Sequence, residues 1–353
     1  MSTLATNHKD LKEYYGKILR SSEDLKTNAC CCTNDGMAPS VKAALAEIND
    51  EVLTRFYGCG SPLPSLLKGC TVLDLGCGSG RDAFLASRLV GPAGSVIGID
   101  MTDEQLSVAR RNLPSQMKRF GYTRPNVEFL QGYMEDLGTL GVADNSIDVV
   151  ISNCVLNLSL HKEAVFSEIF RVLKPGGELF FSDVFSGRRI PAKFHNDPVL
   201  HGECLAGAMY REDFRRILRR AGCLDFRVTS DRRIDIGSPE IEAKIGMVDF
   251  HSVTVRAFKL DCLEDICEDY GQVAIYDGTI TEWPHHFDLD DHHRLFTKKP
   301  MLVCGNTAAM LQETRYGAHF IVHGDRSQHF GAFDCAPGAV KVTKNAGSGG
   351  ACC

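Results

Sequence analysis

Two groups of residues in this chain have types and spacings that could do chemistry. The first is the run Asp74-Leu75-Gly76-Cys77-Gly78-Ser79-Gly80, with Asp100 twenty residues after Gly80. A glycine-rich turn that follows an apolar strand and opens a helix lets a ligand approach the backbone closely. A carboxylate closing the next strand can then accept both hydrogen bonds of a ribose diol. A third acidic position, Glu135 or Asp136, follows the third apolar run, where an adenine edge is expected. The spacing is G-x-G-x-G, which departs from the dinucleotide fingerprint G-x-G-x-x-G.

The second group is made of thiols. The chain has 15 Cys, yet its first twenty residues lack the apolar run of an export signal, and it is long enough to bury a core without staples. Reduced thiols in a cytoplasmic protein follow, some of them packing as small hydrophobes and others available to a soft metal or metalloid, or for redox work. Cys154, in Ser152-Asn153-Cys154-Val155, ends an apolar strand; Cys204 sits in HGECLAG, Cys59 in RFYGCG, and Cys30 in the run Cys30-Cys31-Cys32. Cys70, Cys77, Cys223, Cys262, Cys267, Cys304 and Cys335 lie in apolar or strand-like contexts and read as structural. Cys352 and Cys353 end a Gly-rich tether that either captures a thiophile or is a solvated tail. The histidines of WPHHFDLDDHH (His285, His286, His292, His293) lack a structural zinc spacing and read as a polar loop.

The elements that must position these residues alternate. CTVLDLGCGSG reads as strand and turn, RDAFLASRLV as helix, GSVIGID as strand, and TDEQLSVARRNLPSQMKRFG as a helix capped by Thr102. NVEFLQGYM and SIDVVISNCVLNL are the third and fourth strands. KEAVFSEIFRVLKPGG is a helix, KPGGEL a hairpin, and GELFFSDVF the fifth strand. This predicts βαβ units and an α/β fold with a doubly wound, mainly parallel, Rossmann-like sheet. Ligands of such sheets sit at the carboxyl edge, where Asp74, Asp100 and Cys154 all fall; Cys204 belongs to a segment expected to cover that edge. Upstream, Asp10–Leu25 and the amphipathic Pro39–Phe56 read as helices. Four regions are expected: a thiol-bearing arm (1–35), the nucleotide-type domain with its cover (36–235), a smaller mixed α+β domain (236–340) and a flexible tail (341–353).

Composition narrows the function. Hydrophobic residues at 44%, charged residues at 24% and a net charge of −6 fit a globular enzyme and leave no basic footprint for nucleic acid. No stretch approaches the roughly 18 apolar residues of a membrane span, so neither nucleic acid nor membrane is an expected partner, and a monomer is expected.

Asp74, the three glycines, Asp100 and KPGGEL together resemble class I S-adenosylmethionine-dependent methyltransferases over about residues 68–185. A sulfonium cofactor suits the site, since it has no pyrophosphate needing a helix N-terminus and its cation tolerates nearby carboxylates. TNAC, YGCG, DLGCGSGRD, GIDMT, GYMEDLG, SNCVLNL, KPGGELFFSDV and GECLAGA, in that order over about residues 27–210, resemble arsenite methyltransferases. The two resemblances together imply a cofactor set of Tyr57, Asp74, Gly76, Gly78, Gly80, Arg81, Asp100, Met101, Met134, Glu135 and Asn153. Within it Tyr57 is either near the cofactor or a packed ring, and Arg81 either holds the cofactor's carboxylate or lies on a helix surface. The second resemblance implies that Cys154 and Cys204, with Cys59, hold trivalent arsenic, and that Cys30 and Cys59 serve a thiol relay. It implies methylation of arsenite and methylarsenite, arriving as thiol complexes, to mono- and dimethyl products. Thioredoxin or glutathione would be the reductant, and no metal cofactor is implied. A methyltransferase for a small thiol or carbon acid, and a non-catalytic metalloid sensor, are the alternatives.

Overall fold

The computed structural model describes residues 11–19, 24, 26–27, 37–246 and 248–335. Cys30, Cys31, Cys32 and the tail with Cys352 and Cys353 lie outside the described residues.

Short runs rich in Val, Ile, Leu and Phe form one large sheet from β1 (Thr71–Leu75), β2 (Ser95–Asp100), β3 (Val127–Gln131), β4 (Ile147–Asn153), β5 (Leu173–Ser186), β6 (Met209–Tyr210), β7 (Phe226–Ile234) and β8 (Phe250–Phe258). Its order is β3-β2-β1-β4-β5-β8-β7, with β6 on the end of β5. β1 to β6 pair in parallel, while β8 runs antiparallel between β5 and β7. The chain leaves β1 toward β2 on one side and returns to β4 on the other, so the carboxyl end of β1 is the topological switch point. The near-continuous burial of β1 and β4 is what a parallel strand covered on both faces requires.

Helices α1 (Pro39–Leu45), α2 (Asp50–Thr54), α3 (Arg81–Val90), α4 (Asp103–Phe120), α5 (Lys162–Val172), α6 (Pro198–Gly202), α7 (Arg211–Arg220) and α8 (Pro239–Ile245) accompany the sheet. Because successive strand residues point to opposite faces, Val72 and Ile151 pack with α1, α3 and α4, whereas Leu73 and Val150 pack with α5 and α7. Among the described residues no helix is long and apolar enough to cross a membrane.

Four local expectations change. Pro39–Phe56 is two helices rather than one, because Asn49 turns extended and docks on α4, its N–H donating to Gln116 (3.0 Å) and its amide to Asn112 (3.1 Å). KPGG is not a hairpin but a bulge inside β5: the register with β4 jumps from Ile147–Leu173 to Val149–Glu178. Gly176, at φ +76°, lets the Glu313 carbonyl come within 2.6 Å of where a Cβ would stand, so only glycine fits that crossing. Thr102 stands at the N-cap of α4, but its side chain makes no capping bond; its N–H instead donates to Asp100. The stretch expected to be helical from Asp10 shows helix over 11–18, as a short turn running into a wider five-residue π-helical turn, Tyr14–Ile18.

The boundary expected at residue 235 falls between two strands of the same sheet, which continues through β8 to Phe258. Beyond it β9 (Glu268–Asp269), β10 (Gln272–Tyr276), β11 (His286–Asp288), β12 (Arg294–Phe296), β13 (Pro300–Val303), α9 (Gly305–Gln312), β14 (Phe320–His323) and β15 (Gly331–Ala332) build a small α+β unit around the antiparallel sheet β13-β10-β14. A buried polar cluster fastens this unit to β5 and β8. Glu178 accepts from Arg256 Nε (2.6 Å) and Tyr316 Oη (3.2 Å) and pairs with Arg315, while Arg256 Nη1 donates to Leu289 O (2.6 Å).

Candidate functional site

The glycine turn leaves β1 at the switch point with its backbone already committed. Gly76 and Cys77 donate their N–H groups to Ile99 O (2.8 and 3.0 Å), and Gly78 donates to Asp100 Oδ2 (2.9 Å). Gly76, Gly78 and Gly80 all have positive φ, at +70°, +52° and +92°. A Cβ on Gly76 would stand 2.3 Å from Val155 Cγ1, whereas one on Gly78 would meet nothing within 4 Å, because that backbone faces an open cleft. Gly80 serves packing instead: a Cβ there would press on Ala109 and Phe129 at 3.1 Å.

An open cleft lies over the carboxyl ends of β1, β2 and β4, where doubly wound sheets bind their ligands. Of the cofactor set, Tyr57, Asp74, Gly76, Gly78, Asp100, Met101, Met134, Glu135 and Asn153 line it; Gly80 and Arg81 do not. Arg81 is neither in the cleft nor on the surface. It is buried, pairs with Asp82 at 2.7 Å and stacks on Phe56 at 3.2 Å from the ring centre.

Four carboxylates, Asp74, Asp82, Asp100 and Glu135, line the cleft, and two of them stand at the glycine turn. Asp100 accepts from Gly78 N–H and, through its other oxygen, from Thr102 N–H (2.7 Å). Burial raises its carboxyl above the usual range against those bonds. Asp74 is 2% exposed, and its Oδ2 has no hydrogen-bond partner. Burial, with the charges of Asp82 and Asp100 adding to it, holds the Asp74 carboxyl well above its ordinary value. Tyr57 Oη is likewise buried without a partner, and burial pushes the phenol up to about 12. An orphaned carboxylate oxygen and a phenol in one cleft fit a cationic ligand that also offers hydrogen-bonding groups, because an unpaired buried polar atom is costly until something pairs with it. These residues fit S-adenosylmethionine on that count.

Beside the cleft the thiols converge. Cys59 and Cys154 form a disulfide with Cα atoms 5.9 Å apart, and Cys204 Sγ donates to Cys154 O (3.0 Å). The sulfurs of Cys154 and Cys204 and a carboxylate oxygen of Asp183 lie within 4.8 Å of one another. Three separate elements bring them there: the loop before β1, the end of β4, and the turn after α6. Cys154 (φ +56°) and Cys204 (φ +63°) both hold left-handed backbone conformations. That conformation disfavours a residue with a Cβ and is often found at functional sites.

Of the residues that hold this arrangement, the sequence reading named Asn153, as a cofactor residue, and missed the others. Asn153 Oδ1 accepts from Cys59 N–H (3.0 Å) and Gly60 N–H (3.2 Å), while its amide donates to Gly60 O and Asp82 Oδ2, each at 2.9 Å. Ser252 Oγ on β8 donates to Cys59 O (2.7 Å). Asp183 accepts from Asn157 Nδ2 (2.7 Å), Asn157 N (3.1 Å) and Val184 N (2.8 Å), and burial pushes it up to about 7. Lys162, donating to Asn157 O (3.1 Å) and Ser159 O (2.7 Å), is pulled down to about 8 by burial, against Asp183, Cys204 and Glu135. Glu203, beside Cys204, accepts from Lys26 N (2.6 Å), Thr27 Oγ1 (2.5 Å) and Tyr14 Oη (3.2 Å), fastening the arm three residues before Cys30. Gln105 lines the cleft and ties α4 to Tyr15 O (3.0 Å). The signals for Asp82 and Glu203 were local, in GRD and GEC; Asp183 and Ser252 carry none, since strand pairing alone places them.

The histidine-rich stretch is a small hairpin of β11 and β12, whose turn holds Asp290 bonded to His293 Nδ1 (2.8 Å) and to Arg227 Nη1 (3.2 Å).

Residues 66–222 match a methyltransferase-domain family model, and residues 270–346 match the arsenite methyltransferase C-terminal domain model. The chain is 49% identical over 339 residues to an arsenite methyltransferase of Aquipseudomonas alcaligenes, covering 96% of this chain and 97% of that one. It is 39% identical to that of Mus musculus, over 89% of this chain and 83% of the other. It is similar to the crystal structure of an arsenic(III) S-adenosylmethionine methyltransferase from Chlamydomonas reinhardtii, with TM-score 0.81 and 50% identity, covering 84% of this chain and all of that one.

Proposed function

The chain belongs to the arsenite methyltransferase family, and from that premise we propose that it methylates trivalent arsenic held by Cys59, Cys154 and Cys204, with S-adenosylmethionine bound in the adjoining cleft. The observation that carries this reading is the meeting of three cysteines from distant segments beside a cleft whose buried carboxylate lacks a partner. Asp100 would take the ribose, the Gly76–Gly78 backbone, Met101, Met134 and Glu135 would enclose the cofactor, and Asp74 with Tyr57 would face its polar and cationic end. The bound sulfonium supplies an electrophilic methyl, which the arsenic lone pair can take in line with no proton to remove, so orientation is the main catalytic lever.

The chain's own part is to bind and to return electrons. Opening the Cys59–Cys154 disulfide gives two thiols that join Cys204. Arsenite, free or as its thiol complex, exchanges its three ligands for them, each protein thiol releasing its proton to a departing water or thiol. Trivalent arsenic is soft, which matches it to sulfur. After methylation the arsenic is formally pentavalent and cationic. A further thiol, assigned to Cys30, attacks one arsenic-bound sulfur. The new S–S bond forms as the As–S bond breaks, that bond's electron pair returns to arsenic, and the thiol proton is lost. Thioredoxin or glutathione then reduces the disulfide by exchange. Methylarsenite can enter the same cycle to give the dimethyl product. Asn153 and Ser252 act as positioning residues for Cys59, and the anchoring of Thr27 on Glu203 supports an arm that works beside Cys204.

Chromatographic arsenic speciation with S-adenosylmethionine, arsenite and a thiol reductant tests the proposal, with donor consumption followed in parallel. Methylated arsenicals are expected from the native chain and none from Cys154→Ser. Methyl transfer to arsenic that survives Cys154→Ser combined with Cys204→Ser would overturn the thiol site.

A further inference from the structure

We propose that Cys267, Cys304 and Cys335 form a second thiol site that takes one trivalent arsenic as a three-sulfur complex, apart from the methyl-transfer cleft. Each of these cysteines reads as structural in the sequence, yet the fold brings their sulfurs within 4.8 Å of one another. Cys267 immediately precedes β9, and Cys335 follows β15. The pairing of those strands, with Phe333 N–H on Cys267 O at 2.8 Å, holds the two side by side. Cys304 comes from a third segment, as the N-cap of α9, buried beneath them.

The surroundings suit sulfur carrying negative charge. Cys304 Sγ accepts from Thr307 N–H at 3.4 Å, lies 3.3 Å from Thr307 Oγ1, and receives Arg227 Nη2 at 3.8 Å. Arg227 is 4% exposed, and its Nε has no hydrogen-bond partner. This guanidinium pairs with Asp225 (2.7 Å) and Asp290 (3.2 Å) and also reaches Cys304 Sγ, where a nearby positive charge favours the thiolate over the thiol. Cys267 and Cys335 are only partly buried, which leaves a way in. None of the three lines the cleft.

Ligand number selects the occupant. Among the described residues no His, Asp or Glu joins the three sulfurs as a fourth ligand. Structural zinc is bound by four protein ligands in a closed tetrahedron. A trivalent metalloid needs three and keeps a lone pair in the fourth direction. Arsenite, As(OH)3, would exchange its three hydroxyls for three sulfurs, each hydroxyl leaving as water with a thiol proton and no electrons moving. The choice of arsenic among thiophiles rests on the arsenite reading of the enzyme; the convergence of the thiols does not.

The test uses the full chain, reduced and freed of small thiols, in a Cys154→Ser/Cys204→Ser background that disables the first site. Two proteins are compared after incubation with arsenite and desalting: that background, and the same chain with Cys267→Ser and Cys335→Ser. All other cysteines are common to both. One further arsenic per chain in the first protein, seen by X-ray absorption in an all-sulfur shell of three, is the expected result. Equal arsenic in the two proteins overturns the proposal, as does zinc chloride displacing arsenite from the first protein at equal concentration. Matching circular dichroism and S-adenosylmethionine binding keep misfolding from mimicking the loss. Cys335→Ser alone, in a half-buried position, must reduce the shell from three sulfurs to two. In an otherwise native chain, Cys267→Ser/Cys335→Ser is expected to methylate arsenite at the native rate. A native chain that fails to methylate would instead strike the catalytic reading and leave this binding comparison standing.

Discussion

Replacing Asp74 by Asn should make the ligand-free protein more stable and the cofactor weaker. Asp74 is 2% exposed, its Oδ2 is unpartnered, and Asp82 and Asp100 stand near enough to oppose its charge. Burial holds its carboxyl well above the ordinary 3.8, so the native state binds this proton more tightly than the unfolded chain does. The folded state then loses stability as pH rises from the ordinary carboxylate range through the raised native value. Asn is nearly isosteric and uncharged. It should leave stability unchanged in acid and add roughly 1–3 kcal/mol, the usual cost of an unsatisfied buried group, once Asp74 is ionised. That corresponds to a gain of a few degrees or more in Tm for a domain of this size. Binding should move the other way. Brought to about 5 Å, a unit positive charge and a carboxylate attract by about 3 kcal/mol at an effective dielectric of about 20, so S-adenosylmethionine should bind on the order of 100-fold more weakly to the variant. Thermal melts from pH 4 to 8 and calorimetric titration with S-adenosylmethionine would measure both. A variant that melts at or below the native temperature at pH 8 and binds the cofactor as tightly would refute the argument that Asp74 waits unpaired for a cation.

Asn153→Ala removes the bonds that hold Cys59 and Gly60 to β4 and leaves Asp82 Oδ2 and Cys59 N–H unpaired; arsenite methylation should fall by at least about tenfold while S-adenosylmethionine affinity changes less, the positioning loss being one of geometry. A rate within about twofold of native in a steady-state assay would contradict that role, since a displaced reacting group ordinarily costs more. Gly76→Ala forces a side chain into φ +70° and against Val155, which should cost about 2 kcal/mol or more in urea unfolding and weaken cofactor binding. Glu178→Gln leaves Arg256 and Arg315 facing each other without a carboxylate; a loss of about 3–5 kcal/mol should appear in denaturant unfolding, with residues beyond 258 becoming protease-sensitive first.

How much of this was legible beforehand follows from how local each signal is. The glycine turn, Asp100 and the alternation of apolar strands with amphipathic helices each lie within one βα unit, so their spacing carries both the parallel sheet and its carboxyl-edge cleft. Asn153 was legible as a strand end, but its grip on Cys59 and Asp82 crosses three segments. Arg81 read as a cofactor or surface residue because the ring it stacks on, Phe56, meets it only after α3 packs against the loop before β1. β8 read as part of a second domain because antiparallel insertion between β5 and β7 leaves no mark in a strand's own residues. Cys267, Cys304 and Cys335 had no nameable partners for the same reason: no two of them share an element.

The two thiol clusters are built on opposite principles, and the contrast bears on what each can do. At Cys154 and Cys204 the backbone itself is in the left-handed region, a conformation costing roughly 1–2 kcal/mol for a residue with a Cβ, which glycine would relieve. Cysteines kept in such places are held by their surroundings: Cys154 N–H on Ser182 O at 2.8 Å, Cys59 between Asn153 and Ser252, Glu203 tethering the arm beside Cys204. A rigid cradle of that kind fixes where sulfur points, as a reaction decided by orientation requires. Cys267, Cys304 and Cys335 have no positive φ among them; a helix N-terminus and two paired strand ends present them without backbone strain. Such a set is suited to holding a ligand rather than aiming it, which is what the two proposals ask of these clusters: turnover at the cleft and retention in the C-terminal unit.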